Sequence, residues 1–196
     1  MTVFDDILTK GVREGQIPAR TQAARNWYRQ TALNSKVQPS QLQGDKSRTT
    51  NKVEVGSMYM FQYDPKTKDK LPFYDTFPLI FPIEQAPGGF IGINLHYLPY
   101  VLRAKLMDAL YKYTTDQSFT AKTKLAITYK ILKGAAKLKL FHPCVKRYLS
   151  SHVMSNFIFV FPSEWDMALM LPVHQFKKAS AKTVWDNSTK KVYGKV

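Results

Sequence analysis

Cysteine is nearly absent: Cys144 stands alone among 196 residues. That excludes an internal disulfide framework and a cysteine-rich zinc site, and it fits a reducing compartment. No apolar run reaches the roughly eighteen residues that a membrane-spanning helix needs. The opening MTVFDDILTKG carries acids where a secretory leader is basic, so no membrane partner is expected. A nucleotide cradle is missing too, because Pro87-Gly88-Gly89 lacks the lysine and the following helix and reads as a hairpin turn. The four histidines, His96, His142, His152 and His174, show neither a helical pair nor ligand spacing. His142-Pro143-Cys144 sets a ring beside a thiol, but catalytic Cys–His pairs are spatial rather than sequential neighbours. Acids are sparse, and no pattern among them matches the two or three carboxylates of a Mg²⁺-dependent nuclease. Asp75, in an apolar stretch between Tyr74 and Thr76, reads best as a turn cap. The expectation is a protein without cofactor, metal or catalysis; a nuclease built on Asp75 is the weakest alternative.

The most telling absence is local. Residues 117–150 contain no Asp or Glu against eight basic residues: Lys122, Lys124, Lys130, Lys133, Lys137, Lys139, Lys146 and Arg147. Further on, Lys177, Lys178, Lys182, Lys190, Lys191 and Lys195 face Asp186 alone. These two stretches carry most of the formal charge of +15. A surface of one sign costs a folded domain stability by self-repulsion, and it ordinarily faces a polyanion. Merely solvated lysine faces intersperse both signs, which this run does not. With 44% hydrophobic and 13% aromatic residues, the chain is too apolar for a disordered basic tail. The charge belongs on a folded body.

The length fits one domain with arms. Val3, Phe4, Ile7, Leu8 and Val12 recur at helical spacing, with Thr2 and Asp5 as a capping pair and Gly15 and Pro18 as the stop. A second helix over residues 19–35 offers Ala23, Ala24, Trp27, Tyr28 and Ala32 for packing, and Arg20, Arg25 and Arg29 for solvent or phosphate. The polar stretch 36–52, with Pro39 and Gly44, reads as a linker, so residues 1–52 form a helical arm and linker able to dock elsewhere. From Val53 the period changes, and Met58 and Met60 alternate with Tyr59, Phe61 and Tyr63 as in a strand. Residues 77–83 read as a short strand that Pro78 and Pro82 confine to an edge or a sharp bend; residues 90–96 are its return. Helices over 100–113 and 121–139 and a short helix around 143–149 follow. Strands at 157–161 and 168–171 complete the sheet. The body spans 53–175, with a helical insertion at 99–150, and 176–196 is a basic tail. The expected fold is α+β: a small five-stranded antiparallel SH3-like barrel or rolled sheet with a helical insertion and an N-terminal helical arm. Closure would remove exposed edges.

On the helix over 121–139, Lys122, Lys130, Lys133 and Lys137 share a sector of about 80°. Together with Lys146, Arg147, Lys177 and Lys178 they are the candidate nucleic-acid-binding set. Phosphate contacts of this kind give affinity without sequence preference. Tyr59, Phe61, Tyr63, Phe73, Tyr74, Phe77 and Phe81 could stack on unpaired bases. Filling a core and an interface is the favoured reading, since alternation along a strand turns only half of such residues inward.

Four stretches carry a resemblance: Leu71-Pro72-Phe73-Tyr74-Asp75-Thr76-Phe77-Pro78-Leu79-Ile80, Gly89-Phe90-Ile91-Gly92-Ile93-Asn94-Leu95-His96-Tyr97-Leu98-Pro99, Phe141-His142-Pro143-Cys144-Val145-Lys146-Arg147-Tyr148-Leu149, and Trp165-Asp166-Met167-Ala168-Leu169-Met170-Leu171-Pro172. Over residues 57 to about 185 the chain resembles the DNA end protector group, or head completion proteins, of T-even-type contractile-tailed phages. These are fold motifs rather than catalytic ones. The resemblance implies a non-enzymatic virion protein, made in the host bacterial cytoplasm, that binds packaged double-stranded DNA ends. It would shield them from host exonuclease and help head completion before tail joining, meeting other virion proteins through its N-terminal arm. The alternative is a structural protein of the phage neck, tail or baseplate, acting through protein–protein contacts, with the positive charge facing acidic partners.

Overall fold

Successive side chains of a strand point to opposite faces, and the run from Met58 to Tyr63 fills a cluster on each. Met58 and Met60 enter the main buried cluster, while Tyr59, Phe61 and Tyr63 enter a second, aromatic one. The computed structural model describes residues 3–16 and 21–194; Thr2, Pro18, Arg20 and Lys195, invoked above, lie outside them. The main sheet is antiparallel, with spatial order β1 (Thr49–Thr50), β7 (Phe157–Val160), β2 (Met58–Met60), β4 (Leu79–Ala86), β5 (Gly89–Asn94) and β6 (Val145–Leu149). A separate two-stranded pair joins β3 (Tyr74–Asp75) to β8 (Phe176–Lys177).

This corrects the five-stranded SH3-like barrel or rolled sheet. Among the described residues the main sheet has six strands, β1 and β6 stand at opposite ends of it, and neither sheet closes. The edges are blunted instead of removed: β1 is two residues long, and β6 carries Lys146 and Arg147. Shortness and charge are both ways of discouraging edge pairing. The α+β class stands.

Three local expectations are also corrected. β4 lies between β2 and β5, so of the two readings, an edge or a sharp bend, the edge is overturned. Pro78 precedes the strand, and Pro82 falls where the register with β5 shifts, so its missing N–H coincides with an irregularity of the ladder. Residues 145–149 form β6 instead of a helix; only Lys139–Cys144 turns, as a 3₁₀ helix. Residues 168–171 are the end of α6 (Trp165–Ala168) and the turn after it. An apolar run buried on every side has no period by which strand and helix are told apart.

The main cluster lies between one face of the sheet and the helices. Phe4 and Ile7 of α1 (Val3–Arg13), Tyr28 and Ala32 of α2 (Gln22–Asn34), Leu106 and Leu110 of α4 (Tyr100–Thr114) and Leu132 of α5 (Ala121–Ala136) all join it. In the polar stretch 36–52, α3 (Pro39–Gln43) buries Leu42. Nearby, Arg48 donates to both Glu164 oxygens at 2.7 and 3.2 Å and to Asp45 at 2.6 Å. The wholly buried Arg103 donates to the carbonyls of Leu98, Leu169 and His96 at 2.8, 3.0 and 3.3 Å. Finally α7 (Ala181–Tyr193), capped by Ser180, seats Val184 in the cluster, and Trp185 Nε1 donates to the His96 carbonyl at 2.8 Å.

Candidate nucleic-acid interface

α5 begins at Thr120, whose hydroxyl accepts from the Thr123 amide at 3.2 Å. It buries Thr128, Leu132 and Ala135, on the side opposite the sector that holds Lys122, Lys130, Lys133 and Lys137. Lys122, Lys130 and Lys137 are exposed. Lys133 is half-buried and pairs with Glu84 at 3.2 Å.

Just past the end of α5, the chain gathers more positive charge. Lys139, His142 and Pro143 of the 3₁₀ turn, Lys146 of β6, and Lys191 and Val192 of α7 line one open cavity of about 460 Å³. Among the described residues, no carboxylate lines it. His142 Nε2 lies 3.3 Å from the Lys137 carbonyl, which joins the cavity to the end of the ridge. Lys146 is half-buried, with Nζ 4.0 Å from the centre of the Tyr97 ring. Burial pulls its pKa down to about 8; Cys144 opposes the shift and Lys191 adds to it. Lys139 and Lys191 are not in the candidate set read from the sequence. Their charge is visible there, but Lys139 lies beyond the helix end and off the ridge, and Lys191 arrives only through the docking of α7.

Lys146 also lines a second cavity, of about 430 Å³, with Lys66 and Arg147 and with Tyr63, Phe73, Tyr74, Tyr97 and Tyr148. Asp75 lies at this cavity and is fully occupied. Its Oδ1 accepts from the amides of Phe77 and Gln175 at 3.0 and 3.1 Å, and its Oδ2 from Asn94 and His96 at 3.2 and 2.7 Å. Burial alone would raise its pKa; His96 and these donors hold it below the usual carboxylate range. The bond to Phe77 is the expected turn cap, and the other three make the residue a hub.

The wall formed by residues 64–74 is fastened from a distance. Lys178, in the left-handed region at φ 68°, donates from Nζ to the carbonyls of Lys68, Asp69 and Leu71 at 2.7, 3.1 and 3.1 Å. Lys177 pairs with Tyr74 in the small sheet. Arg147 is exposed and donates to the Pro87 carbonyl at 2.9 Å. The candidate residues thus fall into three places: a ridge on α5, the two cavities joined by Lys146, and a strap behind the second cavity. Among the aromatics, Tyr59, Phe61, Phe77 and Phe81 are core, while Phe73 and Tyr74 are half-buried and face a cavity.

The chemistry of catalysis is not assembled. Burial pushes the Cys144 thiol up to about 12, and His142 turns to a backbone carbonyl rather than to it. Among the described residues no three His, Cys, Asp or Glu side chains gather as a metal site would require. Nor is any described helix long and apolar enough to cross a membrane.

Among curated proteins and among solved structures, none matches the chain. One family model does, that of the phage T4 terminal DNA protecting protein, over residues 3–195. The match takes in α1, α2 and the whole of α7, beyond the stretch 57–185 that carries the resemblance. The chain therefore belongs to the family of the phage T4 terminal DNA protecting protein, a non-enzymatic virion protein that protects DNA ends and completes the phage head.

Proposed function

We propose that the chain grips duplex DNA through phosphates, using Lys122, Lys130 and Lys137 along α5 together with Lys139, Lys146 and Lys191 around the basic cavity. The observation that carries this reading is the cavity itself, where lysines from a 3₁₀ turn, a strand and a helix converge with no carboxylate lining it among the described residues. Such an array is strained by its own repulsion, and a phosphate relieves it. Lys133 joins the set by exchanging Glu84, an exposed partner whose attraction solvent screens, for a phosphate. Arg147 and Lys177 extend the set towards the aromatic cavity, and Lys178 supports it from behind. A protein seated in this way on packaged duplex ends keeps a host exonuclease from them by bulk.

The same reading has the chain made in the host cytoplasm and meeting other virion proteins through the N-terminal arm. Val12 of α1 and Leu33 of α2 support this, since both are large apolar side chains left exposed there.

A salt titration of binding to linear duplex tests the grip. With Lys130, Lys137, Lys139 and Lys191 all changed to Gln, affinity falls for every sequence. The slope of log affinity against log salt flattens by roughly 0.9 for each phosphate that is no longer neutralised. An unchanged slope removes these lysines from the interface.

A further inference from the structure

The basic cavity and the aromatic cavity share one side chain, Lys146. From this we infer that the aromatic cavity receives a single unpaired nucleotide at the DNA terminus, with its base against Phe73 and Tyr74 and its phosphate on Lys146. The inference rests on the phosphate grip proposed above and adds how an end is told from the interior of a duplex.

Size, charge and chemistry agree on that occupant. A volume of about 430 Å³ lies in the range of pockets that enclose one small ligand. Phe73 and Tyr74 are only half-buried and line the cavity, Phe73 lying 6.1 Å from the Tyr97 ring and Tyr74 6.0 Å from Lys178 Nζ, while Tyr97 and Tyr148 behind them are buried. Accessible aromatic rings beside cations are the means by which proteins hold unpaired bases. Lys66, Lys146 and Arg147 also line this cavity and supply the cations. The buried carboxylate of Asp75 disfavours a phosphate at its own end, so the base enters and the phosphate stays with the lysine.

Asp75 and Asn94 beneath the rings are already paired with each other and with their neighbours. Asn94 Nδ2 donates to Asp75 and to the Tyr148 hydroxyl at 3.2 and 3.1 Å, and Asn94 Oδ1 accepts from the His96 amide at 2.9 Å. With that carboxylate and amide already engaged, the rings offer a base their faces, and every base has such a face. Selection by position is then the larger effect. Extracting an interior base breaks its pair and stacking on both sides, whereas a terminal base is stacked on one side and an overhanging base is unpaired at the outset.

The test uses the full-length chain and a linear duplex, compared with the same duplex closed at both ends by hairpin loops. Open ends are expected to bind roughly tenfold tighter, the scale of one base–aromatic stack. Changing Phe73 and Tyr74 together to Leu should bring open-end affinity down to the closed-end value while the salt slope stays put, and Tyr74→Phe should bind as the parent does. In the unaltered chain, a terminal 5-iodo-deoxyuridine should photocrosslink to residues 73–74. Equal binding of open and closed ends, or a crosslink mapping elsewhere, overturns the inference and leaves the phosphate grip standing. Loss of salt-dependent binding to both duplexes in the parent chain overturns the grip and the inference together.

Discussion

Lys146 Nζ lies 4.0 Å from the centre of the Tyr97 ring, a cation resting on an aromatic face in place of a carboxylate. An interaction of that kind contributes about 0.5–2 kcal/mol, which is too little to offset burial, and the pKa comes down to about 8. The groups around the ammonium are Tyr97, Lys139, His142, Cys144 and Lys191 on one side, and across the second cavity Lys66, Arg147 and the buried Asp75, whose oxygens are taken by His96, Asn94 and two backbone amides. Duplex affinity is expected to weaken as pH rises through about 8, because a neutral amine holds no phosphate, and Lys146→Arg should abolish that weakening. Binding isotherms on either side of that pH decide it, and a flat profile in the parent chain counts against the role of Lys146. The stability effect has the opposite sense. Between about 8 and the ordinary lysine value of 10.5 the unfolded chain keeps a proton that the folded chain has released, so folding stability gains as pH rises through that window.

Arg48 and Glu164 form a buried pair that ties the segment before the sheet to the turn after β7. Arg48→Met leaves the Glu164 carboxylate buried and uncompensated, and it should cost about 3–5 kcal/mol in urea unfolding. Adding Glu164→Gln should recover part of that loss, since an amide oxygen can still accept from the Phe161 amide, which Glu164 now caps at 3.1 Å. If the double variant is no more stable than Arg48→Met, the loss came from packing instead of charge.

Gly89 opens β5 directly against β6, and a β-carbon there would collide with the backbone carbonyl of Tyr148. Gly89→Ala is expected to destabilise by about 1–3 kcal/mol and to speed amide exchange in β6. Because β6 carries Lys146, duplex affinity should fall along with the exchange protection. Normal protection across residues 145–149 in the variant would contradict this account.

His174 is held neutral. Burial, with help from His96 and Arg103, pulls its pKa down to about 4, and burial also lowers that of His96 against the pull of Asp75. An unfolded histidine protonates near the ordinary value of 6.5, so the stability tied to these rings is complete above that pH and drains away as pH falls below it. Melting temperature should therefore be level near neutrality and decline from about pH 6.5 towards pH 4, with a shallower decline in His174→Gln. A decline confined to pH below 4 would assign the acid sensitivity to Asp75 and other carboxylates.

What was legible in the sequence was what repeats. The alternation from Met58 to Tyr63 and the register of Lys122, Lys130 and Lys137 extend over enough residues to carry a period, and both appear in the fold. Strands of two residues, such as β1, β3 and β8, are too short to show one. They exist because a partner strand or a tertiary contact holds them, and the barrel expectation failed at that level. The cavities were beyond reach for a related reason. Lys139, Lys146 and Lys191 come from a turn, an edge strand and a C-terminal helix, and only packing brings them together. The charge of Lys178 can be read from the sequence, but its three carbonyl partners cannot, because the chain folds back on itself to supply them.

Residues 181–193 contribute Val184 to the core, the Trp185 bond to His96 and Lys191 to the basic cavity. They follow every strand of both sheets in the sequence. The sheets owe their pairing to residues before α7, whereas the basic cavity takes one of its walls from it. A molecule whose α7 has come loose would keep its strands paired and lose Lys191 from that cavity.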